Sequence, residues 1–322
     1  MLSSRAHESD EETMTTTIEQ KEQEAQKNEL RWLLEEIHLD VKSSVIVGIE
    51  ECLSRLCDRE NAVKLVMSSS RRETVKGTVD RVGTYISECD MLIKLPSANK
   101  GHPFPIRLGK DPIATKSGTS SPTVHPTGQV TESKANTSYP LIQLVDTVNF
   151  LDEALSLSQQ LTIDCQALSK EGHSHSHINT QMGLGQLLGL VKNALSTLHE
   201  PKPSSIYPQR RTDRTKFSGL PAGVAVDFYL IDSNVITDIR AYEDIDDPST
   251  SPVDAFGAIT SMLSIGKKKH PPQIIKHGDL SIIEHERVRI ESQDPNLISV
   301  TTKLTALEAL LESIVRKLQL CT

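Results

Sequence analysis

From Leu297 to the C-terminus the chain is written on a seven-residue repeat. With Leu297, Leu304, Leu311 and Leu318 at the first heptad position, the fourth position holds Val300, Leu307, Ile314 and Cys321. Every seam position is therefore aliphatic or a thiol, over a helix of about 25 residues. Burying each leucine contributes roughly 1.5–3 kcal/mol, so something must cover this stripe. A DNA-binding zipper needs a continuous basic helix running into the heptads. The preceding segment, Glu286 to Asp294, alternates like a strand, carries acids and meets Pro295, which argues against that reading. Two readings remain, a helix packed inside the chain's own bundle and a free dimerisation zipper.

Further apolar stripes in the chain favour the first. Leu30, Leu34, Ile37, Val41, Val45, Ile49, Leu53 and Leu56 follow at steps of three or four, one face of a long helix. Gly48 interrupts it, at a cost of about 1 kcal/mol against Ala unless a neighbour needs the space. Two more helical periods run from Leu141 to Leu161 and from Leu184 to Leu198, the latter ended by Pro201 and Pro203. Elsewhere the period is two. Cys89, Met91, Ile93 and Leu95 share a face before Pro96; Thr74 to Tyr85 reads as a strand or twisted hairpin; Phe104 to Leu108 reads as a short edge strand. Val224 to Leu230 alternates, Asp232-Ser233-Asn234 suits a turn into Val235 to Tyr242, and Asp279 to Ile290 alternates again. A weak helical segment covers Asp254 to Ile265.

Only 3% of residues are aromatic and 37% hydrophobic, which fits aliphatic cores joined by unstructured stretches. Residues 1–27 hold seven acidic and three basic side chains and read as a disordered acidic tail. Segments 110–138 and 201–221 read as flexible linkers. The fold class is α+β. A discontinuous helical bundle of N-terminal, middle and C-terminal helices takes 28–60, 140–200 and 296–321, and an antiparallel β domain takes 62–109 with 222–292. The interleaving lacks the short βαβ units of a parallel sheet.

The net charge of −8 offers no footprint for nucleic acid. Cys52, Cys57, Cys89, Cys165 and Cys321 form no Cys-x-x-Cys pair and read as reduced thiols of a cytosolic protein. Residues 1–12 lack the apolar run of a signal peptide, and no stretch approaches the roughly 18 apolar residues of a membrane span. Contact with a membrane is expected only peripherally, through partners.

Motifs for chemistry are weak. His173, His175 and His177 alternate, but a strong zinc site needs a fixed four-ligand set; a solvated loop explains them. Gly183, Gly185 and Gly189 miss the dinucleotide spacing and follow no strand. Lys267-Lys268-Lys269-His270 is a short basic run that suits a solvated loop. Asn136-Thr137-Ser138 matches a glycosylation acceptor that matters only in a secreted protein. Phosphate-loop, nucleophile-elbow and zinc-protease motifs do not occur. Catalytic, cofactor-binding and metal residues are therefore assigned to none, and the chain reads as a non-catalytic interaction protein. An enzyme with an unrecognised site and a homodimeric coiled-coil adaptor are the alternatives.

The segment Leu30-Arg31-Trp32-Leu33-Leu34-Glu35-Glu36-Ile37-His38 resembles the opening helix of the Rogdi leucine-zipper family. Val75-Lys76-Gly77-Thr78-Val79 and Cys89 to Pro96 look like two of its strands. Phe217-Ser218-Gly219-Leu220-Pro221 leading to Val226–Leu230, then His277–Leu280, Glu284–Val288 and the heptad helix, fit its later part. The resemblance covers roughly 28–109, 140–200 and 215–321, and the Ser/Thr/Pro-rich insertion and His-rich loop point to the fungal branch. It implies a helical bundle with an antiparallel β domain, and no catalytic residues. It also implies a role as the small dedicated subunit of RAVE, the regulator of V-ATPase assembly. The implied partners are a large WD-repeat scaffold subunit, a small ubiquitin-ligase adaptor and the V1 sector. The implied location is cytoplasmic, with peripheral recruitment to vacuolar or endosomal membranes.

Overall fold

A computed structural model describes residues 4–69, 74–109, 138–171, 177–244, 273–277 and 280–321. The fold is α+β, with helices that pack together and two antiparallel sheets. It divides into two units. A helical unit comprises Met1–Arg55, Thr147–Ser196 and Val300–Thr322; a β unit comprises Leu56–Asp146 and Thr197–Ser299.

In the helical unit, α1 (Ser4–Asp40) passes through a π-helical turn, Val41–Ile46, into α2 (Val47–Leu56). The spacing of the core residues explains the turn. Ile37, Val41, Val45 and Ile49 are all buried at three successive steps of four. At 3.6 residues per turn each such step overshoots by about 40°, about 120° in all. The wider π-turn absorbs the drift and keeps the stripe straight. The remaining helices are α3 (Ile142–Glu171), α4 (His177–His199) and α5 (Pro295–Leu320). Leu151 and Leu161 of α3, Leu187 and Val191 of α4, and the α5 seam supply the rest of an aliphatic interior. Lys303–Glu51 at 2.7 Å and Lys317–Glu36 at 3.0 Å set α5 antiparallel to α1 and α2. Gly48 marks their close approach: a Cβ there would lie 2.9 Å from Leu307 Cδ2.

The β unit holds β1 (Val63–Ser68), β2 (Val75–Val82), β3 (Tyr85–Ile93), β4 (Phe104–Leu108), β5 (Tyr139–Pro140) and β6 (Phe217–Ser218) in one sheet, ordered β1-β2-β3-β4-β6 with β5 on β3. The second sheet is β7-β8-β10-β9, from β7 (Val224–Ile231), β8 (Asn234–Asp244), β9 (Gln273–His277) and β10 (Leu280–Gln293). Gly77 in β2 faces Met91 of β3, where a Cβ would fall 2.2 Å from the Asp90 carbonyl oxygen; only glycine fits that contact. Asp232 and Ser233 take φ of 47° and 66° in the two-residue β7–β8 turn, the geometry of a tight hairpin. Phe228 of β7 meets Tyr139 edge-on at 5.2 Å and stacks on Phe217 at 6.3 Å. Thr237 Oγ1 reaches Met67 Sδ at 3.5 Å, so the two sheets share an interior.

Several expectations are corrected. The segment 1–27, expected to be disordered, is helical from Ser4. Its side chains from Gln20 to Glu29 are exposed, so that stretch builds no core, yet Glu, Gln, Lys and Ala favour a helix on propensity alone. The segment 201–221 is not a flexible linker. Tyr207 and Phe217 are buried, and the Arg214 guanidinium donates to the carbonyls of Leu220 and Pro221 at 3.0 and 2.8 Å. Strand β4 is not an edge, because Leu108 pairs with Phe217 of β6. One β domain becomes two sheets. The expectations for 110–137, Asp254–Ile265, His173, His175, Lys267–His270 and Asn136 concern residues outside those described.

Candidate interaction site and buried polar network

The heptad helix starts on a designed stop. Asp294 caps it, its Oδ1 accepting from the Asn296 and Leu297 amides at 2.9 and 3.2 Å, and Pro295 takes the first helical position, where no N–H is needed. The other carboxylate oxygen of Asp294 accepts from Arg81 Nε at 2.5 Å, and Arg81 also donates to the Gly83 carbonyl at 2.6 Å. Both side chains are buried. The same β2–β3 turn accepts the Leu141 amide at Thr84, 3.0 Å, so Leu141 and Asp294, both within the β unit, are held by one hairpin. The seam itself is closed. Leu297, Val300, Leu304, Leu307, Leu311, Ile314 and Leu318 are at most 4% exposed within the single chain; only Cys321 is half-buried.

The second sheet carries a polar network that sequence reasoning missed. Asp227 of β7 stands opposite Asp238 of β8, and Arg240 of β8 stands opposite Arg287 of β10. Like charges in such pairs repel, and the diagonal contacts resolve it. Arg287 donates to both oxygens of Asp238, at 2.9 and 2.6 Å; Arg240 adds 2.8 Å and the Tyr229 hydroxyl 3.0 Å. Burial works to raise the pKa of Asp238, but the hydrogen bonds from Arg287 and Arg240 outweigh it and hold the carboxyl below its ordinary range. Among the described residues Asp227 has no such cation in contact. It accepts from the Tyr139 hydroxyl at 3.2 Å and the Tyr207 amide at 2.8 Å, and burial pushes its pKa up against them. The Arg240 guanidinium lies 5.5 Å from the Tyr207 ring centre, a cation–π contact.

These groups hold strands; they offer no reactive pair. Both Asp227 oxygens are occupied by protein donors. Burial pushes Cys52 and Cys165 up to about 11, so both stay thiols and poor nucleophiles. Among the described residues no group of three or more His, Cys, Asp or Glu could hold a metal ion. Gly183, Gly185 and Gly189 all lie inside α4. The space at Gly183 receives Leu161, whose Cδ2 would be 2.6 Å from a Cβ. The polar network was hidden because alternating charges on β8 and β10 look like a solvent face. The one available signal was Tyr207, an aromatic side chain in a segment otherwise read as a polar linker.

The exposed surface is apolar in places. Trp32 and Leu39 on α1 are 63% and 62% exposed, and Val47 on α2 is 43% exposed. No described helix is long and apolar enough to cross a membrane. No curated protein matches the chain in sequence. The profile of the family described as Rogdi leucine zipper containing protein matches residues 29–319, spanning α1 from Glu29, both sheets and nearly all of the heptad helix. The chain belongs to the Rogdi leucine zipper containing protein family.

Proposed function

We propose that the chain is a non-catalytic assembly factor, the small dedicated subunit of a RAVE-type scaffold complex that promotes V1–Vo association in the vacuolar proton-pumping ATPase. Family membership across residues 29–319 carries this reading. The chemistry of the buried groups agrees with it, since Cys52 and Cys165 stay protonated and the Asp227, Asp238 and Asp294 carboxylates accept from structural partners. Its partners would be a large WD-repeat scaffold subunit, a small ubiquitin-ligase adaptor and V1 subunits. It would act in the cytoplasm and reach vacuolar or endosomal membranes through them. A homodimeric zipper is disfavoured by a specific observation: the seam from Leu297 to Leu318 is covered within one chain. Affinity capture of the tagged full chain from cytosol, read by mass spectrometry, tests the proposal. Recovery of a large WD-repeat protein together with V1 subunits is expected. Recovery of neither overturns it.

A further inference from the structure

The first helix has two apolar stripes, and only one is covered. On the core side run Ile37, Val41, Val45 and Ile49. On the outer side stand Trp32, Leu39 and Val47, at steps of seven and eight. A step of eight would swing Val47 about 80° away from Leu39 in a regular helix. The π-turn at Val41–Ile46 lies between them and removes most of that swing, as it does for the core stripe. The three side chains therefore line up over about 20 Å. Glu35, exposed, flanks this line between Trp32 and Leu39.

The unpaired charge around the stripe is acidic on balance. Glu36 and Glu51 are neutralised by Lys317 and Lys303 of α5. Glu29, Glu35, Asp40 and Glu50 have no ion pair among the described residues, against Arg31 and Lys42 on the same stretch. Trp is enriched where binding energy concentrates, and this one is the only tryptophan in the chain. We infer that the outer face of α1 and α2 docks a basic amphipathic helix of a partner protein. Its apolar side chains cover Trp32, Leu39 and Val47, and its lysines or arginines meet Glu35 and the neighbouring acids. This surface stands independently of the pump reading, because it concerns the partner's chemistry and not its identity.

The lone tryptophan makes the test direct. The full chain is titrated with a synthetic amphipathic helix of leucine and lysine, and Trp32 emission is followed. A saturable blue shift is expected, as the indole leaves water. Leu39→Asp and Glu35→Lys should each weaken it about tenfold or more. Val66→Asp, on an exposed position of β1 (66% exposed), should leave it unchanged. Far-ultraviolet circular dichroism of each variant reports that the helices remain. An equal shift with a leucine–glutamate helix, no shift with either peptide, or equal weakening by Val66→Asp overturns the inference. So does a blue shift on concentrating the chain alone with a doubled mass by light scattering, which would make a second copy the occupant.

Discussion

The helical unit and the β unit bury opposite kinds of side chain. The helical interior is aliphatic, and its few buried polar groups among the described residues are hydroxyls such as Ser158, which returns its proton to the Ala154 carbonyl of its own helix at 2.7 Å. Its ion pairs among the described residues, Lys192 with Glu308 and Glu312, Lys303–Glu51 and Lys317–Glu36, lie at the surface with side chains 30–48% exposed, where such pairs contribute little. The β unit instead buries Arg81, Asp227, Asp238, Arg240 and Asp294. Buried ions stabilise little in net terms, since desolvation consumes most of the attraction. Their effect is on register: a one-residue slip of β8 against β10 would strand Asp238 away from Arg287. The helical unit needs a stripe of about the right volume. The β unit needs particular partners.

Removing one such partner should give the largest effect. Asp238→Ala leaves Arg240 buried without its main counter-charge and takes the acceptor from Arg287 and Tyr229, a loss of about 3–5 kcal/mol. Urea denaturation would measure it, with hydrogen exchange of the second sheet showing where protection falls. The double change Asp238→Leu with Arg240→Met should recover much of the stability, because the buried charge disappears with its partner. If Asp238→Ala costs less than a core leucine, the network is solvated in practice and the contrast between the units fails.

The matching change in the helical unit is Leu307→Ala. Leu307 is 4% exposed and rests against Gly48, so truncation should cost about 2–5 kcal/mol through lost burial and a residual cavity. An unchanged melting temperature would mean that this side of α5 is not packed. Gly48→Ala in the Leu307→Ala background should be better tolerated than in the parent chain, since the methyl then enters vacated space. The contrast with Asp238 is that no partner change is needed to explain the result.

How far each unit can be read from sequence follows from the same difference. Period-3.6 stripes are carried by many residues, so the helices are visible and the α+β class with them, although α3 runs ten residues past Leu161 and α4 begins seven before Leu184. Three steps of four at Val41, Val45 and Ile49 even contained the π-turn, although periodicity alone registers them as an ordinary helix. Asp294-Pro295 was visible as a break in strand β10, but its role as cap and first residue of α5 shows only with Arg81 beside it. The candidate site was far less legible. Arg240, Arg287 and Asp238 obey the strand alternation that normally marks a wet face. What covers that face is the 201–221 segment, whose polar and proline-rich composition mimics a linker. Trp32 and Leu39 fell in a helix whose core stripe was already filled, and periodicity does not reveal a second stripe that crosses a π-turn.

The smallest effect concerns Asp227 and is a slope against pH. Burial raises its folded-state pKa above the ordinary carboxylate value of about 3.9. A raised acid contributes stability below its unfolded pKa that is lost as pH climbs through the folded one. Asp238 behaves oppositely: its depressed pKa gives stability present above about 3.9 and lost only as pH falls through the lower folded value. From about pH 5 upward Asp238 is therefore nearly constant, and Asp227 supplies the slope of this pair. Asp227→Asn keeps one acceptor for Tyr139 or Tyr207 and removes the titration. The stability of the parent minus that of Asp227→Asn, from urea curves across pH 4 to 7, should fall as pH rises. A flat difference would mean that the Tyr139 hydroxyl and Tyr207 amide compensate the buried charge completely. The interior of the second sheet would then accommodate an unpaired carboxylate as easily as the surface of the helical unit does.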